Sequence, residues 1–228
     1  MKFPHILQRL DDIIQSRSIL LHPFYVAWQR GELTRDQLAK YATIYYPHVA
    51  SFPHYLQSAI NRTDDTFVRE ELQHNLTDEI SHPKPHDELW LDFAEEFGLQ
   101  RSYVTTAPTH LATQNIIKTF ERLAGASDIS ALTALYAYES QQPEVSRQKA
   151  EGLRQFYGVN NPKTTAYFEV HAETDIRHSE DERNAIDHCL STGASPKEIF
   201  STADEALEAY WGLLDGICLE VGIPHSCD

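Results

Sequence analysis

The chain has 228 residues, 41% of them hydrophobic, which is enough to bury one sizeable core, so we expect a single domain over residues 1–228. Its 34 acidic residues against 19 Lys and Arg give a formal net charge of −15, which disfavours nucleic acids and anionic membrane surfaces as partners. No apolar run approaches the roughly 20 residues that a transmembrane helix needs, so we expect no membrane span.

The cysteines and the first residues indicate a cytoplasmic location. Cys189, Cys218 and Cys227 are odd in number and lack C-x-x-C spacing, which fits a reducing compartment better than a disulfide framework. The opening residues include Asp11 and show no small-residue cleavage site, so we expect no secretory signal.

Apolar residues recur at intervals of three and four along almost the whole chain, and the alternating valine-rich runs typical of strands are missing. The pattern predicts an all-α protein with helices near residues 4–17, 22–30, 35–60, 64–81, 85–97, 108–124, 128–157, 162–191 and 196–220. Pro47, Pro53 and Pro143 fall inside predicted helices and should kink or divide them. Bent helices suit a bundle that surrounds an internal site.

Three helix starts carry capping signals. Thr34-Arg-Asp-Gln37 and Ser195-Pro-Lys-Glu198 have the form of capping boxes, in which the first side chain and the fourth satisfy backbone N–H groups reciprocally. Asn161-Pro162 combines a capping side chain with proline at the first helical position.

Two of the predicted helices place an ionisable residue on an apolar face. In helix 64–81 the stripe of Val68, Leu72 and Leu76 continues into Glu79, and in helix 85–97 a stripe includes His86. An unpaired buried carboxylate costs several kcal/mol, so such positions indicate ligands or capped helix ends. By spacing alone, His82 is as good a partner for Glu79 as His86.

Another pair of residues has the spacing of metal ligands but lies off the apolar face of its helix. Glu71 and His74 match the Glu-x-x-His unit of di-iron proteins, yet both lie off the apolar stripe of their helix, so we assign them to the surface.

We apply the same stripe test to the two later helices: it asks whether an ionisable residue lies on the apolar face of its helix. Glu139 follows the apolar stripe of helix 128–157, just before Pro143. In helix 162–191, His171, Asp175 and His178 share one face with apolar residues, and the charged residues of this segment lie opposite. One turn on, Glu182 could support a ligand, but we favour a helix salt-bridge partner.

Together these stripes supply three carboxylates and three histidines. Oxygen donors can bridge and neutralise two divalent ions while imidazoles complete each site, leaving positions open for dioxygen or water. Such a mixed set suits iron or manganese better than structural zinc, which favours a closed Cys/His tetrahedron.

Several segments, in order over most of the chain, resemble one known family. They are FYVAW and GELTRDQL within residues 24–38, NLTDE with His86 seven residues on and LW close behind, LYAYESQ at 135–141, and HAETDIRH at 171–178. The family is that of the chlamydial death-domain-associating protein and its bacterial relatives, within the heme-oxygenase-like dimetal oxidases.

The resemblance implies a heme-oxygenase-like bundle of seven to eight helices. It also implies that His86, and not His82, is the metal ligand. It implies six ligands for two divalent ions, Fe/Fe or Fe/Mn: Glu79, His86, Glu139, His171, Asp175 and His178. Such relatives are implicated in forming para-aminobenzoate for folate synthesis, with O2 and an external reductant as co-substrates. A tyrosine of the protein itself is oxidised, cleaved out and aminated, in a single turnover.

By the same resemblance, Tyr25 is the ring source and Lys149 the amino donor, while Tyr41 and Tyr138 relay electrons or radicals. The fold also implies a homodimer. Two alternatives stay open: a thiaminase-like or pyrroloquinoline-quinone-forming relative without the dimetal site, and a non-catalytic interaction protein. Death-domain binding is not transferred, because no residues here can be matched to it.

Overall fold

The fold is an all-α bundle, as predicted. The computed structural model describes residues 1–81 and 83–224, and this part of the chain contains helices but no strand. Eleven α-helices lie in these ranges, together with a 3-10 turn at Ile19–Leu21. The α-helices are α1 Pro4–Ser16, α2 Pro23–Gln29, α3 Arg35–Arg62, α4 Thr66–Ser81, α5 His86–Glu96, α6 Arg101–Thr106, α7 Leu111–Ala124, α8 Asp128–Glu139, α9 Gln142–Tyr157, α10 Pro162–Ser191 and α11 Pro196–Val221.

Two differences from the predicted helices have simple causes. The segment 128–157 is divided into α8 and α9, because Pro143 stands in the first turn of α9 and cannot donate to the preceding turn. The short α6 has only one buried apolar residue, Val104, too little to produce a recognisable stripe. With α8 and α9 taken as one bent rod and the short α2 and α6 set aside, eight helices remain in the described ranges.

The other predicted prolines do not divide their helix. Pro47 and Pro53 both lie inside the continuous α3, which is buried over much of its length. Burial of large side chains such as Tyr45 and Phe52 compensates for the two missing backbone hydrogen bonds, because tertiary packing supplies most helical stability in proteins.

The capping predictions are confirmed in two cases and wrong in one. Thr34 and Gln37 form the complete capping box of α3, and the Asn161 side chain accepts from the Lys163 N–H at the start of α10. Ser195 caps α11 by position only, without a side-chain hydrogen bond, and Glu198 instead accepts from the hydroxyl of Ser127.

The long helix α10, which carries three of the ligand candidates, packs against the helices that carry the others. It packs against α4, α5, α8 and α9, while α3 packs against α4, α5 and α7, and α11 against α1, α7 and α8. Cys189 and Cys218 are buried free thiols, and Cys227 lies outside the described residues. None of the helices in the described ranges is both long and apolar enough to cross a bilayer.

The two helix starts allow a matched test of capping. Thr34→Ala should lower the free energy of unfolding by about 1 kcal/mol, because it removes the acceptor for the Gln37 N–H at 3.2 Å. Ser195→Ala removes no such bond and should cost clearly less. Urea denaturation of both variants measures the difference, and equal losses would contradict the assignment.

Candidate metal centre

The six ligand candidates form two buried clusters. Glu79, His86 and His171 bring one ligand atom each to within 4.8 Å of one another, and so do Glu139, Asp175 and His178. All six side chains are at most 5% exposed. The stripe test therefore predicted correctly that each of these six side chains points inward. Their role as ligands stays a proposal.

Four helices supply the six side chains. Helix α10 carries three of them, at positions that share one face, while Glu79 lies in the last turn of α4 and Glu139 is the last residue of α8. The free carbonyl groups at a helix C-terminus carry partial negative charge, so the ends of α4 and α8 favour a cation at this place.

The first cluster is built around the carboxylate of Glu79. Its Oε1 lies 2.9 Å from His86 Nδ1 and 3.7 Å from His171 Nε2. The other nitrogen of His171, Nδ1, donates to the Tyr167 carbonyl at 2.7 Å, which directs Nε2 at the cluster. Burial by itself raises the pKa of Glu79, but His86 and His171 outweigh burial and hold this pKa well below its ordinary value.

The second cluster is built around His178. Its Nδ1 lies 3.3 Å from both Glu139 Oε1 and Asp175 Oδ1, without hydrogen-bond geometry to either. Burial lowers the pKa of His178, yet Asp175 and Glu139 outweigh burial and raise this pKa to about 11. Burial also raises the pKa of Asp175. Within the described residues, Asp175 Oδ2 is a buried atom without a hydrogen-bond partner.

Two neighbouring residues that the sequence reasoning missed hold this second cluster in place. Nε2 of His178 donates to Asp78 Oδ2 at 3.0 Å, which turns Nδ1 towards Glu139. Carboxylates that orient a histidine in this way are typical partners of metal-binding imidazoles. Asn75 donates to both oxygens of Glu139, at 3.0 and 2.9 Å. Asn75 lies on the stripe of Leu72 and Glu79, so extending the stripe test to amides would have found it.

The two clusters face one shared cavity. It measures about 10 Å³, and its lining includes Glu79 and His171 from the first cluster and Glu139 and Asp175 from the second. Val49, Phe52, Tyr138 and Tyr167 complete the wall. A volume of this size is close to the minimum that holds one water molecule.

The donor set fits a pair of divalent redox ions. Three protein donors per ion leave coordination positions open, and mixed carboxylate and imidazole ligands suit iron or manganese. Three carboxylates buried together repel one another, and Asp175 Oδ2 has no hydrogen-bond partner, so cations would satisfy groups that the folded chain leaves unsatisfied.

Three nearby sequence assignments have different outcomes. His74 is exposed, as predicted, but Glu71 is only partly exposed and lines a second small cavity beside His178. Glu182 was predicted to be a helix salt-bridge partner, and this is wrong: it is 3% exposed, and in the described part of the chain neither of its oxygens has a hydrogen-bond partner. Burial and the neighbouring Glu139 raise the pKa of Glu182 well above its ordinary value. His82, the alternative ligand, lies outside the described residues.

The four predicted catalytic residues lie in one aromatic cluster on the inner side of the site. Tyr138 lines the shared cavity, and the hydroxyl of Tyr25 lies 3.4 Å from that of Tyr41. Lys149 is 3% exposed and donates to the Tyr41 hydroxyl at 2.9 Å. Lys149 Nζ stands 4.6 Å from the centre of the Tyr25 ring. The fold thus brings together side chains that the stripe test did not identify from the sequence.

Comparisons with known proteins agree with this site. The profile of a family described as iron-containing redox enzyme matches residues 39–211. The chain is 36% identical to the 4-aminobenzoate synthase of Chlamydia trachomatis, over 99% of this chain and 96% of that protein. It is 37% identical to the 4-aminobenzoate synthase of Nitrosomonas europaea, over 92% of this chain and 89% of that protein. A TenA homolog from Pseudomonas syringae has the same fold, with a TM-score of 0.81 at 15% identity, covering 93% of this chain and 92% of that one.

Metal content tests the two clusters directly. Protein loaded anaerobically with ferrous or manganous ion should contain about two ions per chain. Glu139→Ala should lose at least one of them, because it leaves only Asp175 and His178 as donors of the second cluster. Elemental analysis after desalting gives the ratio, with the exposed Glu173→Ala on α10 as the control. Equal content in both variants would exclude Glu139 as a ligand.

Proposed function

This chain belongs to the iron-containing redox enzyme family, and from that membership we propose that it is a dimetal oxidase that forms 4-aminobenzoate. We further propose that Tyr25 provides the aromatic ring and Lys149 the amino group, so that each chain acts once. When bound, two redox-active divalent ions, Fe/Fe or Fe/Mn, supply electrons to dioxygen and gain oxidising power, and an external reductant restores them.

The size of the cavity carries the proposal that the substrate is internal. At about 10 Å³, the space between the two clusters has room for a molecule of the size of water but not for an aromatic ring. A tyrosine already built into the wall needs no such space. The proposed ring source is therefore a residue of the protein itself. Tyr25 is buried, with 1% of its surface exposed.

The chemistry of the product agrees with a tyrosine as its source. A tyrosine side chain already contains a benzene ring with one carbon and one heteroatom in para positions. To become 4-aminobenzoate, it must break its Cα–Cβ bond, have Cβ oxidised to a carboxyl group, and exchange its phenol oxygen for nitrogen. The first two changes are oxidations, which is the chemistry that an oxygen-activating site provides.

The position of Lys149 suits an amino donor. Its Nζ lies against the Tyr25 ring at 4.6 Å and within 5.6 Å of the ring centres of Tyr41, Tyr45 and Phe168. Burial lowers the pKa of Lys149 well below its ordinary value. A neutral amine has the free electron pair that a protonated lysine lacks, so burial prepares this side chain to attack an oxidised ring.

A line of tyrosines connects the metal clusters to Tyr25. Tyr138 lines the shared cavity, and its hydroxyl lies 2.9 Å from that of Tyr45. The Tyr45 and Tyr41 rings are 5.2 Å apart, and Tyr41 reaches Tyr25 through their hydroxyl groups. Burial raises the pKa of Tyr25, Tyr41, Tyr45 and Tyr138, which keeps them as phenols able to give up a hydrogen atom.

The alternatives make different use of the same fold. A metal-free relative would have no reason to bury three carboxylates with three histidines, and an interaction protein would need neither a buried lysine nor the cavity. The homodimer and the cytoplasmic location stay predictions.

Peptide analysis tests the ring source. After addition of ferrous ion, reductant and O2, the tryptic peptide of residues 18–30, in which Tyr25 is the only tyrosine, should lose the mass of an aryl side chain. Tyr25→Phe should abolish both this loss and the product, whereas Tyr103→Phe, at an exposed position, should change neither. Product formation with an unchanged peptide would mean that the substrate is external.

Trypsin also reports on the amino donor. Once Lys149 has given up its ε-amine, trypsin can no longer cut after it, so residues 148–154 should appear as one peptide in turned-over protein. Protein labelled with 15N only at the lysine ε-amine should give labelled product. Unlabelled product together with normal cleavage after Lys149 would exclude the lysine.

The buried amine also predicts a pH effect on stability. Because the pKa of Lys149 is lowered in the folded state, the unfolded chain binds one more proton between that value and about 10.4, so the stability of the wild type rises with pH in this window. Lys149→Met lacks this contribution. Relative to the variant, the wild type should gain up to about 1.4 kcal/mol per pH unit, measured by urea denaturation. A constant difference would mean that Lys149 is charged in the folded protein.

A further inference from the structure

A second small cavity lies beside the metal clusters, in the gap between α4 and α10. It measures about 10 Å³ and is lined by Glu71, Asn75, His178, Asp181 and Glu182, among others. His178 belongs to the second cluster, and Asn75 donates to Glu139 of that cluster. The cavity is therefore the immediate neighbour of the proposed metal position.

Three oxygens of this cavity's lining residues have no hydrogen-bond partner among residues 1–81 and 83–224. They are Asn75 Oδ1 and both carboxylate oxygens of Glu182, and the two side chains are each 3% exposed. Buried oxygens of this kind are costly unless something satisfies them. Hard oxygen donors are also the ligands that divalent ions such as Mg²⁺, Mn²⁺ and Fe²⁺ accept.

An open pocket at the protein surface shares a lining residue with this cavity. It measures about 400 Å³ and is lined by His74, Thr77, Asp78, Arg177 and Asp181. Asp181 lines both spaces, so the outer pocket and the inner cavity are adjacent. Asp78 and Asp181 outweigh the single charge of Arg177, which pairs with Asp78. Acidic side chains therefore extend from solvent to Glu139.

The rest of the wall of the shared cavity has a different character. It is formed by Val49, Phe52, Tyr138 and Tyr167, all buried. A hydrated ion that crossed this wall would lose its water without gaining charged oxygens in exchange. The gap between α4 and α10 supplies oxygen donors at each stage.

We propose that divalent ions reach the dimetal centre through the gap between α4 and α10, with Asp181 and Glu182 as successive transient ligands. This inference rests on the proposed dimetal function. The role of Glu182 is to hold an ion that has lost part of its water and pass it to the adjacent Glu139. The described carboxylates of the gap do not meet within 4.8 Å as a third cluster, which suits a weak station rather than a resident site.

The test is the rate at which metal-free protein takes up Co²⁺, followed by stopped-flow absorbance at low ionic strength. Asp181→Asn should slow uptake about tenfold, the scale of electrostatic guidance by a charged cleft, and Glu182→Gln should slow it by a similar factor because an amide is a poorer ligand than a carboxylate, while the final number of ions per chain stays unchanged in both. The control is Glu173→Gln, which removes the same charge from an exposed position of α10 and should leave the rate nearly unchanged.

Each result separates this inference from the proposed function. Normal uptake rates in both variants, with two ions bound, would overturn the uptake route and leave the dimetal site intact. A lower final content in Glu182→Gln would also overturn it, because Glu182 would then be a resident ligand. No Co²⁺ binding by the wild type would remove both proposals. Asp181 is partly exposed, so Asp181→Asn keeps the test valid if Glu182→Gln folds poorly.

Discussion

The structure depends on burying three carboxylates and three histidines in the centre of a helical bundle. Unpaired buried charges are among the most costly features of a folded protein, and hydrogen bonds within the described chain satisfy this set only in part. Two divalent ions would neutralise the carboxylates and could bind the nitrogens that His171 and His178 turn towards the clusters. The same requirement explains Asp78 and Asn75, which fix the side chains of His178 and Glu139.

The break between α8 and α9 separates the two functions of this core. Glu139 ends α8 at the metal clusters, and Lys149 lies on α9 among the aromatic rings, on the other side of Pro143. A continuous helix would have carried both on one rod with a fixed angle between them. The break instead lets α9 pack against α2, which brings Lys149 to Tyr25.

The two sides of the site have opposite chemical character. Towards α2 and α3 it meets tyrosines, a tryptophan and one buried amine, an environment that excludes water and protects oxidised side chains. Towards the gap between α4 and α10 it meets carboxylates and an amide, an environment suited to ions. Such a division would keep the proposed metal uptake apart from the residues proposed to be oxidised.

The sequence by itself determined the all-α fold, most helix limits and the facing of the six ligand candidates, because each of these depends on spacing along one helix. It also determined the family, through short segments kept in order. Only the tertiary structure decided what Glu182 contacts, that Glu71 lines a cavity, and that Tyr25, Tyr41 and Lys149 meet. Those contacts join different helices, and the periodicity of a single helix holds no information about its neighbours. Lys149 shows the limit most clearly, since nothing in its own helix distinguishes a buried amine from a lysine at the surface.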